Sequence, residues 1–362
     1  MVVEGIYNGT YCFISEIEEI RISEIKNELL NVQILVGGTE IFNENYYASD
    51  NTVKIYETGN ILRDYFLLEE PKGISDNVIF YHLPPLSVTI VVSDGQETVQ
   101  NSFKAYFSRC RTSVTPSDTI FLTHENTIRT AYDRMEYLTF IVREGISVDI
   151  GVAYLNMGKE KYKRISQELD VVPGMVAFSF SLGRVSEISG IDMSSIIYYD
   201  VMLKDNETVK DKVRFINDNR QYRNVTNFIY QNAFGMPETM TFTGLTEYSP
   251  ELEGDLVELL QKTVRTDTGY IDSRTVNSGY LDTRQYGKAL DLITTPSLYL
   301  YDTEILKEVV VTDIDFSHKR TGSEKINVSL TFRQASRLHL AFGRIGNIRE
   351  RIFDQTFDYT FE

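Results

Sequence analysis

The sequence predicts a mainly β chain with a few short helices: β-sandwich or β-barrel-like domains, turning α+β in the C-terminal part. Three observations carry this expectation. Tyr (23) and Phe (20) are abundant while Trp is absent, and aromatics with Thr suit half-buried strands. Short runs of alternating apolar and polar residues recur, each closed by Gly, Asn, Asp or Pro. Helical periodicity is clear at only two places, 159–169 and 282–295. At 362 residues, 42% hydrophobic and 24% charged, the chain is long enough for two or three domains with cores of their own. Boundaries are expected near 87 and 245. They give an acidic β-rich region (1–87), a central β domain (88–245) and an α+β domain with basic strands (246–362).

Taken in order, FISEIEEIRISEIKNELL (13–30) fits neither period: its Ile residues allow strand, turn, strand as well as a helix. QILVGG (33–38), TVKIYETG (52–59), NVIFYHL (77–83) and LSVTIVVSDG (86–95) read as strands with turn residues after them. In SFKAYFSRCRT (102–112), Phe103, Ala105 and Phe107 point one way and Lys104, Tyr106 and Ser108 the other. MEYLTFIV (135–142) and SVDIGVAYL (147–155) are expected to pair around Arg143-Glu144-Gly145. KEKYKRISQEL (159–169) reads as a helix, and VAFSFSLGRV (176–185) as a strand with Gly183 near its end.

Residues 195–218 read as a hairpin turning at Asp205-Asn206-Glu207, and 225–243 as two strands hinged at Gly235-Met236-Pro237. ELEGDLVELLQK (251–262) fits helix or strand, with Gly254 against a helix. DTRQYGKALDLITT (282–295) is the clearest helix: Asp282 or Thr283 caps it, Tyr286, Leu290 and Ile293 line one face, and Pro296 stops it. SLYLYD, LKEVVVTDIDF and KINVSLTFRQA then give three strands, and FDQTFDYTFE alternates aromatics with acids and Thr.

The net charge of −16 argues against nucleic-acid binding, which needs a basic face. It is unevenly spread. Residues 1–80 hold fourteen acids and five bases, whereas 316–352 hold eight bases and two acids. Either these are two solvated faces, or copies meet head to tail, acidic end to basic end. Cys12 and Cys110 make no disulfide framework and are expected to be buried thiols in a reducing compartment. No signal peptide is expected, and the uncharged run 78–93 is too short, and too broken by Pro84-Pro85, to span a membrane.

A search for chemistry returns no catalytic, cofactor-binding or metal-binding residues. His82, His124, His318 and His339 lie far apart, outside any metal-spaced motif. No serine sits in a nucleophile elbow, and Gly37-Gly38 leads into no phosphate loop. Cys110 lies between Arg109 and Arg111, but on an alternating strand both would face away from it. The carboxylate pairs Glu18-Glu19, Glu69-Glu70 and Asp313/Asp315 are those expected by chance in an acidic chain. In FIYQNAFGMPETMTFTG (228–244), Glu238 is the one charged side chain, so the stretch reads as a turn anchored by Phe228, Phe234 and Phe242. Finding Glu238 deep in a polar cleft beside a second carboxylate would overturn that reading.

Three stretches resemble a known family. NFIYQNAFGMPETMTFTG (227–244) is similar to an aromatic–Asn–x–x–Gly–x–x–Glu–Thr–x–x–Phe pattern, matched by Phe228, Asn232, Gly235, Glu238, Thr239 and Phe242. VNSGYLDTRQYGKALDLITTPSLYLYD (276–302) is like a Gly–aromatic–Leu segment, helix, Ser/Thr-Pro and apolar strand. EVVVTDIDFSHKR (308–320) is like the apolar strand, Thr-Asp and basic turn that follow. Together they resemble tail-tip and baseplate structural proteins of tailed phages and prophages of Bacteroides-type bacteria, over about the last 140 residues; the first 90 or so have no counterpart there.

The resemblance implies a structural virion protein, made in the bacterial host cytoplasm and placed in the tail. It would be a baseplate or tail-tip ring component, tail-hub or distal-tail-like, built from trimeric or hexameric rings of itself and joining the tail tube to tip proteins. It implies no enzyme, no cofactor and no membrane span. The alternative is a receptor- or glycan-binding module at the tail tip or cell surface, with Tyr46-Tyr47 and Tyr198-Tyr199 as stacking candidates.

Overall fold

Strands follow one another from the second residue of the chain. The computed structural model describes residues 1–5, 9–71, 80–167, 172–220, 222–252, 256–259, 262–265, 270–302, 305–319 and 325–335. In chain order the first elements are β1 (Val2–Glu4), β2 (Tyr11–Phe13), β3 (Glu19–Ser23), β4 (Leu29–Val36), β5 (Thr39–Tyr47), β6 (Val53–Tyr56), α1 (Thr58–Arg63), β7 (Phe80–Leu83), β8 (Leu86–Ser93) and β9 (Thr98–Tyr106). Next come β10 (Thr127–Thr130), β11 (Tyr137–Val142), β12 (Ile146–Asn156), β13 (Lys159–Gln167), β14 (Gly174–Ser179), α2 (Leu182–Ser189), β15 (Ile196–Asp205), β16 (Thr208–Asn217), β17 (Thr226–Gln231) and β18 (Pro237–Phe242). The last are β19 (Thr246–Leu252), β20 (Leu256–Leu259), β21 (Lys262–Arg265), β22 (Tyr270–Asn277), α3 (Thr283–Ile293), β23 (Leu298–Asp302), β24 (Ile305–Lys319) and β25 (Lys325–Gln334). The chain is mainly β, as its composition predicts.

The sheets are ordered β1-β3-β6, β2-β9-β8-β4-β5, β11-β14-β7, β10-β16-β15-β12-β13 and β18-β17-β23-β24-β25-β22-β19, with β20-β21 as a separate hairpin. The sheet β11-β14-β7 is the middle layer. Leu138, Phe140, Val142, Val176 and Phe178 pack with Val148, Ile150, Tyr199, Val201 and Phe215 of the five-stranded sheet containing β12. The alternate residues Tyr81, Leu83, Tyr137, Ile141, Met175 and Ala177 pack instead with the sheet of Val32, Ile34, Val88, Ile90 and Phe103. This is why every residue of YLTFIV is buried: a strand covered on both faces loses the alternation of a half-exposed one. In the seven-stranded sheet, Phe228, Leu300, Val328, Leu330 and Phe332 face α3 through Ala289 and Leu292, while Ile229 and Tyr301 face the first core.

Several expectations are corrected. KEKYKRISQ (159–167) is a strand, not a helix. Met157 and Gly158, both at positive φ, turn the chain straight back, and β13 pairs with β12 from Asn156↔Lys159 to Val148↔Gln167. Nine ladder positions outweigh the modest helix propensity of Lys, Glu and Arg. β11 and β12 do not pair with each other: β11 pairs with β14, and β12 with β13 and β15, so Arg143–Gly145 carries the chain between layers. The strand expected over 176–185 stops at Ser179, and Gly183 lies inside α2, which ends at Gly190 with φ 65. Within 13–30 the strand reading holds, and of 251–262 the described parts are strand. FDQTFDYTFE and much of the basic segment 316–352 lie outside the described residues.

The hairpin β15–β16 turns at Asn206-Glu207, both at positive φ (45 and 70), as a two-residue turn matched to the strand twist requires. Both domain boundaries expected from the sequence are crossed by sheets. β8 spans residue 87 and pairs with β4 and β9. β17 and β18 lie before 245, yet β17 pairs with β23. Among the described residues, no helix is long and apolar enough to cross a membrane.

Candidate functional site

The hairpin β17–β18 is held by Asn232. Its backbone N–H donates to the Met236 carbonyl at 2.8 Å, and Gly235 N–H donates back to the Asn232 carbonyl at 2.9 Å. The Asn232 side-chain oxygen accepts from the N–H groups of Phe234 (3.0 Å) and Met236 (3.1 Å). Gly235 is at φ 70, and a Cβ there would lie 2.8 Å from both Leu68 and Phe107; only glycine meets both demands. From outside, the Arg109 guanidinium donates to the carbonyls of Gln231 and Asn232, and to that of Thr294 at 3.2 Å. The expected turn is present.

It is also more than a turn. The remaining Asn232 donor, Nδ2, reaches Glu238 Oε2 at 3.2 Å, and Glu238 is 4% exposed. Its other oxygen accepts from Thr123 Oγ1 at 3.3 Å and lies 3.6 Å from Lys288 Nζ. Lys288, on α3, is 3% exposed and lies 3.3 Å from Glu125 Oε1. Glu125 Oε2 accepts from Gln285 Nε2 at 3.3 Å. A third buried carboxylate, Glu136, accepts from Thr239 Oγ1 at 3.0 Å. Glu238 is thus buried and shares Lys288 with a second carboxylate, Glu125, without lining the polar cleft described below, so the stretch forms the expected turn and also joins a buried charge cluster.

The electrostatics follow from three carboxylates around one ammonium. Burial works against the charge on Lys288, but Glu125, Glu238 and Glu136 outweigh it and hold its pKa above the ordinary value. Burial raises Glu238, with Lys288 and His124 pulling the other way. Glu136 is pushed up to about 7 by burial, against Lys288, Arg134 and the Thr239 hydrogen bond. At neutrality Glu136 is thus a buried group that can hold or release a proton. Nearby, His124 Nε2 lies 3.1 Å from Asp291 on α3, and that contact raises its pKa.

Glu125, Glu136 and Lys288 form the floor of a cleft of about 370 Å³, walled by Arg129, Arg134, Asp218 and Arg220, with Tyr222, Tyr280 and Thr243 also on it. Asp218 is held by Arg220 Nε (2.8 Å) and Nη2 (2.7 Å) and by the Tyr222 hydroxyl at 2.7 Å. These bonds, the Arg220 contact first, keep its carboxyl far below the usual range. Tyr280 is 72% exposed at the rim.

The residues singled out from sequence are not brought together. Both cysteines were expected buried; Cys12 is half-buried, and Cys110 is exposed in the loop after β9, because that strand ends at Tyr106. Burial pushes the Cys12 thiol up to about 12. His82 is half-buried on β7, its Nε2 without a partner among the described residues. His318 is on β24, and His339 lies outside the described residues. Asp313 and Asp315 are exposed on β24, Glu18 pairs with Arg111, and Glu69 supplies its carbonyl to Gln231. No group of three or more His, Cys, Asp or Glu among the described residues could hold a metal ion. What sequence reasoning missed is Glu125, Glu136 and Lys288, separated by up to 163 positions. The legible trace was Lys288 on the Gln285–Ala289–Leu292 stripe of α3, where an apolar residue is the rule.

Two sheet edges complete the picture. β5 ends its sheet with TEIFNENYY, carrying Glu40 and Glu44 and no base, with Tyr47 81% exposed. β13 ends another sheet with KEKYKRISQ, carrying Lys159, Lys161, Lys163 and Arg164 against Glu160. Each is nine residues long. Arg164 is tied to Asp149 at 2.7 Å, and Lys163 reaches the Ser189 carbonyl at 2.7 Å.

No protein-family model and no curated protein matches the chain. Among solved structures, the titin Ig tandem A164–A165 is 8% identical, covering 60% of this chain and 96% of that one, at a TM-score of 0.21. The N-terminal four Ig domains of Dscam1 isoform 1.9 are 9% identical, covering 78% and 71%, at 0.16. SGBP-B of the Bacteroides ovatus mixed-linkage glucan utilization locus, in complex with a mixed-linkage heptasaccharide, is 11% identical, covering 88% and 71%, at 0.16. Scores this low carry no weight for shared fold or function.

Proposed function

We propose that the chain is a structural subunit of a phage tail, a baseplate or tail-tip ring component that assembles with copies of itself. The observation that carries this reading is the pair of oppositely charged, nine-residue edge strands in different sheets, β5 and β13. An edge strand presents unpaired backbone groups to a neighbouring chain. Lysines on β13 keep like edges apart, so β13 does not pair with β13. The acids of β5 attract it, so the favoured contact joins two different surfaces, and such contacts close into rings when the rotation allows. The likeness of residues 227–320 to tail-tip and baseplate proteins supports the setting of a virion tail.

Native mass spectrometry at low salt tests it. The protein is expected as a closed oligomer, and Lys159→Glu with Lys161→Glu as a monomer. Mixing that variant with Glu40→Lys/Glu44→Lys is expected to restore assembly. A wild-type protein that stays monomeric at tens of micromolar, alone and with tail proteins, would sink the reading.

A further inference from the structure

We propose that the cleft above the buried glutamates is a binding site for a small organic anion, whose carboxylate or phosphate group seats on Arg134. The inference is independent of the assembly reading. Arg134 is 6% exposed, yet among the described residues it has no ion pair. Its Nη1 donates to the Arg129 carbonyl at 2.8 Å, and its Nε is buried with no acceptor. A guanidinium is a planar fork of donors suited to two acid oxygens at once, and burying one without an acid partner is costly. The candidate partners in the chain are committed elsewhere. Asp218 is taken by Arg220 and Tyr222. Glu136 feels the Arg134 charge but, among the described residues, makes no ion pair with it; its hydrogen bond is from Thr239.

The space fits a ligand. Arg134, Asp218, Arg220 and Tyr222 line both the cleft of about 370 Å³ and an adjoining one of about 720 Å³ that runs past Tyr132, Leu182 and Met193. Pockets of this size take molecules of sugar or amino-acid dimensions and upward. Arg129 adds a cation at the wall of the first cleft, and Tyr280 offers an exposed ring at the rim on which an organic body can lie.

Isothermal titration calorimetry with glucuronate, inorganic phosphate and glucose tests this. At least one of the two anions is expected to bind saturably, and which one binds identifies the acid group; glucose is expected not to bind. Arg134→Gln is expected to weaken the anion by about tenfold or more, as loss of a charged two-bond contact does. Should that variant fail to fold, Arg129→Gln at the exposed neighbour is expected to weaken the same anion several-fold. Tyr280→Ala is expected to weaken glucuronate and leave phosphate unchanged. The proposal is overturned if neither anion binds, if glucose binds as well as glucuronate, or if the folded arginine variants bind like the wild type.

Discussion

Glu136 shows how a single residue couples this fold to pH. Its carboxyl is buried at the cleft floor, and moving its pKa from 4.5 to about 7 corresponds to on the order of 3 kcal/mol. The folded state holds this proton more tightly than the unfolded chain does. Its contribution is therefore complete below about pH 4.5 and is lost as the pH rises through 7. Denaturant midpoints at pH 5 and pH 8 are expected to differ for the wild type in that direction, the lower pH being the more stable. Glu136→Gln, which keeps the acceptor for Thr239 without a charge, is expected to flatten much of the slope. An unchanged slope in the variant would assign the pH dependence to other groups. The position of Glu238 was half legible: a lone acid between Pro237 and Thr239 in an otherwise uncharged stretch stands out, but its Lys288 partner lies 50 positions away.

At the scale of elements, α3 was the most legible part of the chain and β13 the least. The Asp282 side chain accepts from Arg284 N–H (2.9 Å) and Gln285 N–H (2.8 Å), and Gln285 returns a bond to the Asp282 N–H at 3.1 Å. Such reciprocal capping is local chemistry, so sequence spacing reveals it. Asp282→Ala is expected to cost about 1 kcal/mol, read as a lower denaturant midpoint with an unchanged slope. The face of α3 was less legible. Tyr286, Leu290 and Ile293 form the more apolar stripe in sequence, but Lys288, Ala289 and Leu292 are the buried residues, and Leu290 is 39% exposed. Ala289 and Leu292 pack into the core of the seven-stranded sheet, and Lys288 beside them reaches the glutamate carboxylates. KEKYKRISQ carries no local signal for a strand. Its ladder with β12 comes from the Met157-Gly158 turn, on the edge of β12 opposite β15.

Across the whole molecule the sheets are interleaved along the chain. Residues 29–36 pair with 86–93, residues 80–83 with 174–179, and residues 226–231 with 298–302. Hydrophobic patterning marks each strand but not its partner, so boundaries near 87 and 245 looked plausible while sheets run across both. Fragments cut at either point would expose strand edges and apolar faces that the intact chain covers. Residues 1–87, 88–245 and 246–362 produced separately are each expected to lack the dispersed proton spectrum of a folded domain. A well-dispersed spectrum from any one of them would show that the shared sheets are dispensable.

The sequence by itself determined the class of the chain, most of its strands, the turns at Asn206-Glu207 and Gly235, and the capped helix α3. These depend on alternation, backbone preference and capping, all read within a few residues. Only the tertiary structure decided which strands lie side by side, that YLTFIV is covered on both faces, and that Glu125, Glu136, Glu238 and Lys288 meet in one buried cluster. The physical reason is range. Strand pairing and charge burial depend on distances between residues far apart in the chain, and a single sequence carries no measure of those.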